Sequence, residues 1–508
     1  MYGAKREVLL RVVCRAQKRW NSTIASAVNI SGTRAEEGDA THCLPFSKMP
    51  TINGIVRNYI EIAWKGGTRK YHEVGMDRFE RLGPAYKETM LGDTIVHLND
   101  PVDIETVFRA CNNKIVNRGP TLYPLVQYNR RTGYKDGLPG DGQSWYEHRS
   151  PISRKMLRPF EVKALIQQFT DIADDSIACL APDERDPSMR VISYDAVMKW
   201  AMESIGSVMF GYRLDANVSQ PSDRVRDTLA SMETTLKMHG KMISMYPFYQ
   251  YFNTPTWRAY SRALRTFYEN TVHFMAEAKK RSSKSAFDAT SIFEHLETVK
   301  ALPPAEIEQN LIFLFFSGMD TTSITLIWLI YLLSRNPDVQ DKLSAEIETV
   351  LKGEKPADDS FDKMPFLKAC VKETLRLYPI TIGTTRKLDK PVVVAGYEVP
   401  AGVPYLLWNF STSQQAKFFN EPEAFKPERW LRKNNAGPGH EFASLPFGFG
   451  PRMCVGKRIS ESEMYVLMTR LLQKFEVVPT SKARNIDMVH HWFLFPSEKP
   501  AFQLRKRE

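Results

Sequence analysis

The stretch LPFGFGPRMCVGKRIS, Leu445 to Ser460, sets one cysteine, Cys454, among Gly448, Gly450 and Gly456, with basic residues on both sides. The apolar positions that follow (Val455, Ile459, Val466, Leu467, Leu471) have helical spacing. Cys454 would therefore stand at a helix N-terminus, where the macrodipole and free backbone N–H groups favour a thiolate. The glycines allow a tight turn and let backbone approach a flat, bulky partner. Arg452 offers a fork suited to a carboxylate. A thiolate, a planar group against backbone and a carboxylate to be paired together describe haem b (iron protoporphyrin) on an axial cysteine, a ligation that favours O–O cleavage. Two other readings use the same residue. A hydrolytic thiol would need a histidine, His440 or His148, and a cysteine packed in a glycine-rich loop would do no chemistry.

Four further spacings carry chemistry. Glu373-Thr374-Leu375-Arg376 puts a carboxylate and a guanidinium at i and i+3 on one helix face, and FKPERW, Phe425 to Trp430, follows it. Trp145 and Arg149 stand about one helical turn apart. Arg386 lies ten residues beyond Arg376. Ser317-Gly318-Met319-Asp320-Thr321-Thr322 sits inside the apolar run Leu311 to Leu333, which by length alone could span a bilayer. A carboxylate near its midpoint makes that costly, so a buried central helix with a polar interruption is expected instead. Gly318 and the mid-helix hydroxyls are expected to loosen the helical hydrogen-bond ladder there.

In this order the patterns resemble those of the cytochrome P-450 family over roughly residues 45–505. Phe447-x-x-Gly450-x-Arg452-x-Cys454-x-Gly456 is similar to its haem-binding signature, which implies Cys454 as iron ligand and Arg452, Trp145, Arg149 and Arg386 as propionate partners, with Phe447 and Gly456 beside the haem. The resemblance also implies a buried cluster of Glu373, Arg376 and Arg429, and a proton relay through Thr321 and Asp320. This chain has Ser317 where the family usually has alanine or glycine. The implied fold is mainly α with small β-sheets, one domain with a long central helix over the haem and a β-rich subregion. The implied activity inserts one atom of dioxygen into a lipophilic sterol, secosteroid or xenobiotic. Phe313, Phe316, Ser317, Ile380, Ile382 and Phe493, with the loop around 122–126, are expected to face the substrate. A haem-thiolate isomerase or dehydratase is the alternative, and Asp320-Thr321 speaks against it; a haem sensor or carrier would bind without turning over.

The elements that must position these residues read as mostly helical. Helices are expected over 145–157, 224–242, 257–280, 305–335 and 339–351, and another opens at Pro101 behind Asp100 as N-cap. Strands are expected over 86–91, 94–98, 392–399 and 475–479. The chain has 508 residues, 43% of them hydrophobic, ample for a core, and six scattered cysteines with no CxxC. That argues against a disulfide framework or a multi-cysteine zinc site.

Residues 1–35 hold seven basic residues against Glu7 alone, and Arg11, Arg15, Lys18 and Arg19 share one helical face opposite Leu9, Val12, Val13, Ala16 and Trp20. This pattern fits a mitochondrial presequence, taken as residues 1–38 ahead of a monooxygenase domain 39–508; a plain basic tail is the other reading. Lys368 and Lys372, at i and i+4, resemble the ferredoxin-docking lysines of mitochondrial members, and Lys457 and Arg458 extend the same positive face. The expected donor is an acidic iron–sulfur ferredoxin with its NADPH-dependent reductase. The uncharged aromatic stretch 242–252 suggests peripheral contact with the matrix side of the inner membrane. No nucleic-acid partner is expected.

Overall fold

Long helices with sustained 3.6-residue apolar spacing form most of the fold, and short strands from both ends of the described chain pair into small sheets. The computed structural model describes residues 43–507 apart from 53, 91–92, 112–114, 120–122, 244–247, 282–290, 432–438 and 481–484. The expected presequence and parts of the stretches 122–126 and 242–252 lie outside the described residues. Contacts group Leu44–Glu508 into one unit.

Helix α1 (Gly142–Met156) carries Trp145 and Arg149 and contains Pro151. Helix α2 (Tyr194–Phe210) begins at Ser193, whose hydroxyl accepts from the Ala196 N–H, and stops at Gly211 in the left-handed region. Helices α3 (Asp223–Ile243) and α4 (Pro255–Arg281) pack along each other. The central helix α5 (Pro304–Arg335) runs for 32 residues against α2 and α4, and also meets α6 (Pro365–Leu377) and α7 (Lys457–Lys474). Among the described residues it alone is long and apolar enough to cross a membrane. Leu311, Ile324, Leu326, Trp328, Leu329 and Leu333 are nevertheless buried in protein, as befits a helix apolar on all sides.

The polar residues do not interrupt α5, which corrects the expectation of a loosened ladder. Thr321 Oγ1 donates to the Ser317 carbonyl at 2.8 Å and Thr325 Oγ1 to that of Thr321 at 2.8 Å, so these hydroxyls are satisfied inside an intact helix. Gly318 has a different purpose: a Cβ there would lie 2.7 Å from Ile205 Cγ1, so glycine is what lets α2 approach.

The main sheet holds β1 (Thr51–Ile52), β2 (Ala85–Met90), β3 (Asp93–Leu98), β4 (Thr384–Lys387) and β5 (Pro404–Leu407) in the order β1-β2-β3-β5-β4. β2 and β3 form an antiparallel hairpin, β3 runs parallel to β5, and β5 is antiparallel to β4. Register places Tyr86, His97, Leu406 and Thr385 in one row across four strands, hence on one face. The expected single strand 392–399 is a hairpin of Val392–Val394 and Tyr397–Val399, turned at Ala395 and Gly396, both with positive φ.

Candidate active site

The Cys454 loop is a closed turn. Its N–H donates to the Phe447 carbonyl at 2.9 Å, and the Met453 N–H to Gly450 at 3.0 Å. Gly448 (φ 69°) and Gly450 (φ 77°) occupy the left-handed region that the turn requires. Gly456 has ordinary backbone; a Cβ there would lie 3.9 Å from Cys454 Sγ, on the thiol's side of the loop. Helix α1 grips the turn from outside: an Arg149 terminal nitrogen donates to the Met453 carbonyl at 2.7 Å, and the Arg452 guanidinium lies 4.7 Å from the Trp145 ring centroid.

The thiol opens onto an internal cavity of about 490 Å³. Its surface is accessible, yet from that cavity rather than from bulk water, so burial raises its pKa. The Gly456 N–H, the Arg149 charge and the Lys457 N–H pull the other way and are outweighed. The helix terminus alone therefore does not lower this thiol's pKa. A bound metal ion would, because coordination deprotonates a thiol outright.

Four guanidiniums line the same cavity: Arg118, Arg149, Arg386 and Arg452. Burial lowers all four, Arg149 and Arg386 to about 10 and Arg452 to about 9, and Arg118 pushes each of the other three further down. One carboxylate answers them. Asp141 accepts from the Arg118 N–H at 2.7 Å, the Gly119 N–H at 3.1 Å and Arg452 at 2.8 Å. Arg452 also donates to the Val116 carbonyl at 2.5 Å and to that of Gly140, so only its Nε lacks a partner, as does that of Arg149. Arg386 reaches the Thr385 carbonyl at 2.7 Å and that of Phe449 at 3.5 Å. A buried excess of cations over anions of this kind calls for an anionic occupant. Two carboxylates on the edge of a flat macrocycle fit it, and the thiol and glycine turn fit the macrocycle's metal.

On the opposite wall, Ser317, Gly318, Thr321 and Thr322 of α5 face the cavity. Asp320 does not. It is 2% exposed, its Oδ2 has no partner, and it lies behind the wall within electrostatic reach of Tyr194 and Glu233. Burial first, and Glu233 second, hold its carboxyl well above the usual range, which favours its neutral form. Phe313, Phe316, Ile380, Ile382 and Phe493 line the cavity too. Among the described residues of the stretch 122–126, Leu125 packs in the core instead, on the helix Tyr123–Thr132.

Behind the thiol, α6 brings Glu373 and Arg376 against Arg429, all of them buried. Glu373 Oε1 accepts from Arg376 at 2.8 Å and Arg429 at 2.9 Å, and its Oε2 from Arg376 at 3.0 Å and the Trp430 indole at 2.8 Å. Lys368, Lys372, Lys457 and Arg458 all act on Glu461, which fixes them as one basic patch on the outer side of α6 and α7.

The sequence reading missed Arg118, Asp141, Trp492 and Glu463. Arg118 and Asp141 sit in no motif and lie 23 residues apart. Trp492 adjoins Phe493, lines the cavity and packs 6.0 Å from Phe316. Glu463 is buried on α7 and accepts from Ser204 at 2.7 Å.

A family model described as "Cytochrome P450" matches residues 53–504. The chain is 30% identical over 459 residues to mouse (Mus musculus) "1,25-dihydroxyvitamin D(3) 24-hydroxylase, mitochondrial", covering 89% of this chain and 87% of that protein. It is 28% identical to rat (Rattus norvegicus) "Sterol 26-hydroxylase, mitochondrial", with 90% and 88% covered, and 28% identical to Drosophila melanogaster "Probable cytochrome P450 12a5, mitochondrial", with 93% and 92% covered.

Proposed function

The chain belongs to the cytochrome P450 family and is a haem monooxygenase of that family, and from this we propose that it hydroxylates a lipophilic sterol, secosteroid or xenobiotic in the mitochondrion with electrons from an iron–sulfur ferredoxin. The observation that carries the site assignment is the lone thiol facing a cavity lined by four guanidiniums, of which Arg452 alone is paired with Asp141. In this reading Cys454 holds the iron, and Arg118, Arg149, Arg386 and Arg452, with Trp145, hold the propionates. Phe447 and Gly456 flank the macrocycle on the thiol side. Asp141 keeps Arg452 and the 118–119 backbone in place.

Bound haem supplies the activation of dioxygen. The chain supplies protons and exclusion of water. Thr321 holds a proton at Oγ1 on the cavity wall, and Asp320, whose carboxyl burial pushes up, stands behind it as the reserve. Phe313, Phe316, Ile380, Ile382 and Phe493 keep the substrate's surroundings apolar. The basic patch around Glu461 suits an acidic ferredoxin, reduced by its NADPH-dependent reductase. The mitochondrial names of the relatives and the basic stretch 1–38, read as a presequence, support the location. Phe248, Tyr251 and Phe252, all exposed, suit peripheral contact with the inner membrane from the matrix side.

The test is a reduced carbon-monoxide difference spectrum followed by turnover with ferredoxin and its reductase. The wild type is expected to give the thiolate-type spectrum and Cys454→Ser to lose it while keeping its fold by circular dichroism. An unchanged spectrum in Cys454→Ser would remove the assignment, and turnover indifferent to ferredoxin would remove the donor.

A further inference from the structure

The central helix α5 shows the cavity a narrow strip of itself, and one hydroxyl in that strip is unspent. Between Leu311 and Ser334 only Phe313, Ser317, Gly318 and Thr321 keep exposed surface, and all four line the cavity. Their spacing of four, one and three residues is that of one helical face. What they expose is therefore cavity wall. Phe313 is apolar and Gly318 has no side chain, so the strip brings two polar side-chain atoms to the cavity, Ser317 Oγ and Thr321 Oγ1.

The two hydroxyls differ in where their hydrogens go. A serine or threonine inside a helix commonly donates to a carbonyl three or four residues back. Thr321 does so to Ser317 at 2.8 Å, Thr325 to Thr321 at 2.8 Å, Ser323 to Asp320 at 2.9 Å and Ser334 to Tyr331 at 2.7 Å. Ser317 Oγ has no partner among the described residues. Thr322 Oγ1 has none either, but it is sealed, whereas Ser317 opens onto the cavity. Until the relay draws on it, the Thr321 hydrogen rests on the Ser317 carbonyl, and Thr321 offers the cavity lone pairs only. On α5, Ser317 alone offers a hydrogen. The sequence pattern that this chain resembles has alanine or glycine here, so nothing in it gives the position a polar role.

We propose that the Ser317 hydroxyl donates a hydrogen bond to dioxygen held in the cavity and so fixes it beside Thr321. The proposal rests on the monooxygenase reading and adds a residue to its oxygen site. The two side chains stand one helical turn apart, about 5–6 Å at Cβ, so the occupant between them is small. It must accept a hydrogen bond, and Phe313 and Phe316 leave it an otherwise apolar wall that suits the hydrocarbon of an organic substrate. Dioxygen is the small acceptor that the reaction itself brings, and it accepts more strongly as it gains electron density on reduction. A donor already in place and shielded from bulk water strengthens with that charge at no cost in reorganisation.

The experiment compares the haem-loaded wild type with Ser317→Ala and Thr321→Ala by infrared spectroscopy, with carbon monoxide on the reduced protein as the probe. Ser317→Ala breaks no bond within the protein and installs the better helix former, so its melting temperature should not fall. The wild-type C–O band is expected to shift on transfer from H2O to D2O, as a bond from an exchangeable O–H requires. In Ser317→Ala the band should move to higher frequency and ignore D2O, while in Thr321→Ala the D2O shift should remain. The affinity of reduced Ser317→Ala for dioxygen should be about fivefold lower than that of the wild type, the scale of one hydrogen bond. A wild-type band indifferent to D2O overturns the proposal, as does unchanged dioxygen affinity in Ser317→Ala. A D2O shift that survives in Ser317→Ala, or vanishes in Thr321→Ala, also overturns it, by placing the donor on water or on Thr321. A wild type that forms no carbon-monoxide complex would instead count against the haem reading, so the two failures are distinct.

Discussion

Replacing Glu373 with alanine should empty the site of haem although the residue lines no part of the cavity. The carboxylate is fully buried and takes hydrogen bonds from Arg376, Arg429, the Trp430 indole and the Lys426 N–H. Its loss leaves two buried guanidiniums without a counter-charge, which costs about 3–5 kcal/mol. That is a large part of the roughly 5–15 kcal/mol that holds a domain together. The damage is also directed. Arg376 holds the carbonyls of Ser413, Pro422 and Ala424, and Arg429 those of Asn420 and Glu421, so the chain between 413 and 430 depends on both. Just upstream, Asn409 Oδ1 accepts from the Leu445 N–H at 2.5 Å, where the Cys454 loop begins. The expected outcome is haem content per chain at least tenfold lower and a melting temperature several degrees lower. Absorbance per polypeptide and thermal unfolding report the two. Adding Arg376→Met and Arg429→Met to Glu373→Ala should recover part of the lost stability, since no buried charge then remains unpaired. A Glu373→Ala protein with its full haem complement would refute the reasoning.

Three other outcomes follow from the geometry. Thr321→Ala removes the hydroxyl proton assigned to the relay while the Ser317 carbonyl keeps its helical partner, so product per NADPH should fall and peroxide rise with the fold intact; unchanged coupling would refute the role. Reversing Lys368 and Lys372 to glutamate should raise the KM for ferredoxin at least tenfold at low salt and leave the carbon-monoxide spectrum unchanged, because both side chains lie outside the haem cavity on the patch around Glu461. Glu463, raised by burial to about 8 from 4.5, is neutral in the folded state below that value, so its contribution to stability is full below pH 4.5 and is lost as pH rises through 8. Glu463→Gln should therefore melt progressively higher than the wild type between pH 5 and 9, by at most roughly 5 kcal/mol of stability, and parallel melting curves across that range would refute it.

The long helices and the residues inside motifs were legible because each announces itself locally. Apolar spacing gave α3, α4 and α5 within two residues of their ends. The clustering of Glu373, Arg376 and Arg429 was legible only through resemblance, since 53 residues separate Arg376 from Arg429 and no spacing rule spans them. Asp320, expected to relay protons together with Thr321, lies behind the cavity wall, because an unbroken helix turns adjacent residues about 100° apart and Thr321 takes the cavity side. Arg118 was illegible because its meaning arises from loops that meet only in the fold. Gly318 was read as a weak point in a helix, but a packing glycine is visible only once the Ile205 side chain of α2 is in place.

The two sets of basic residues around Cys454 differ in what water does for them. Lys368, Lys372, Lys457 and Arg458 lie around Glu461 at the surface, where solvent screens their repulsion and a partner is needed only for transfer. Arg118, Arg149, Arg386 and Arg452 are enclosed, each is shifted downward by its burial, and Arg118 pushes the other three down further. Ordinary solvation cannot relieve that repulsion, and Asp141 neutralises one charge of four. An anionic macrocycle therefore stabilises the folded chain in proportion to how well it balances these charges, beyond what its apolar faces contribute. Haem loading and folding are in this way one equilibrium, and neutralising a single arginine, Arg149→Leu for instance, should weaken haem retention while making the haem-free chain more tolerant of heat. A variant that lost stability equally in both states would show that Arg149 acts through its bond to the Met453 carbonyl and not through its charge.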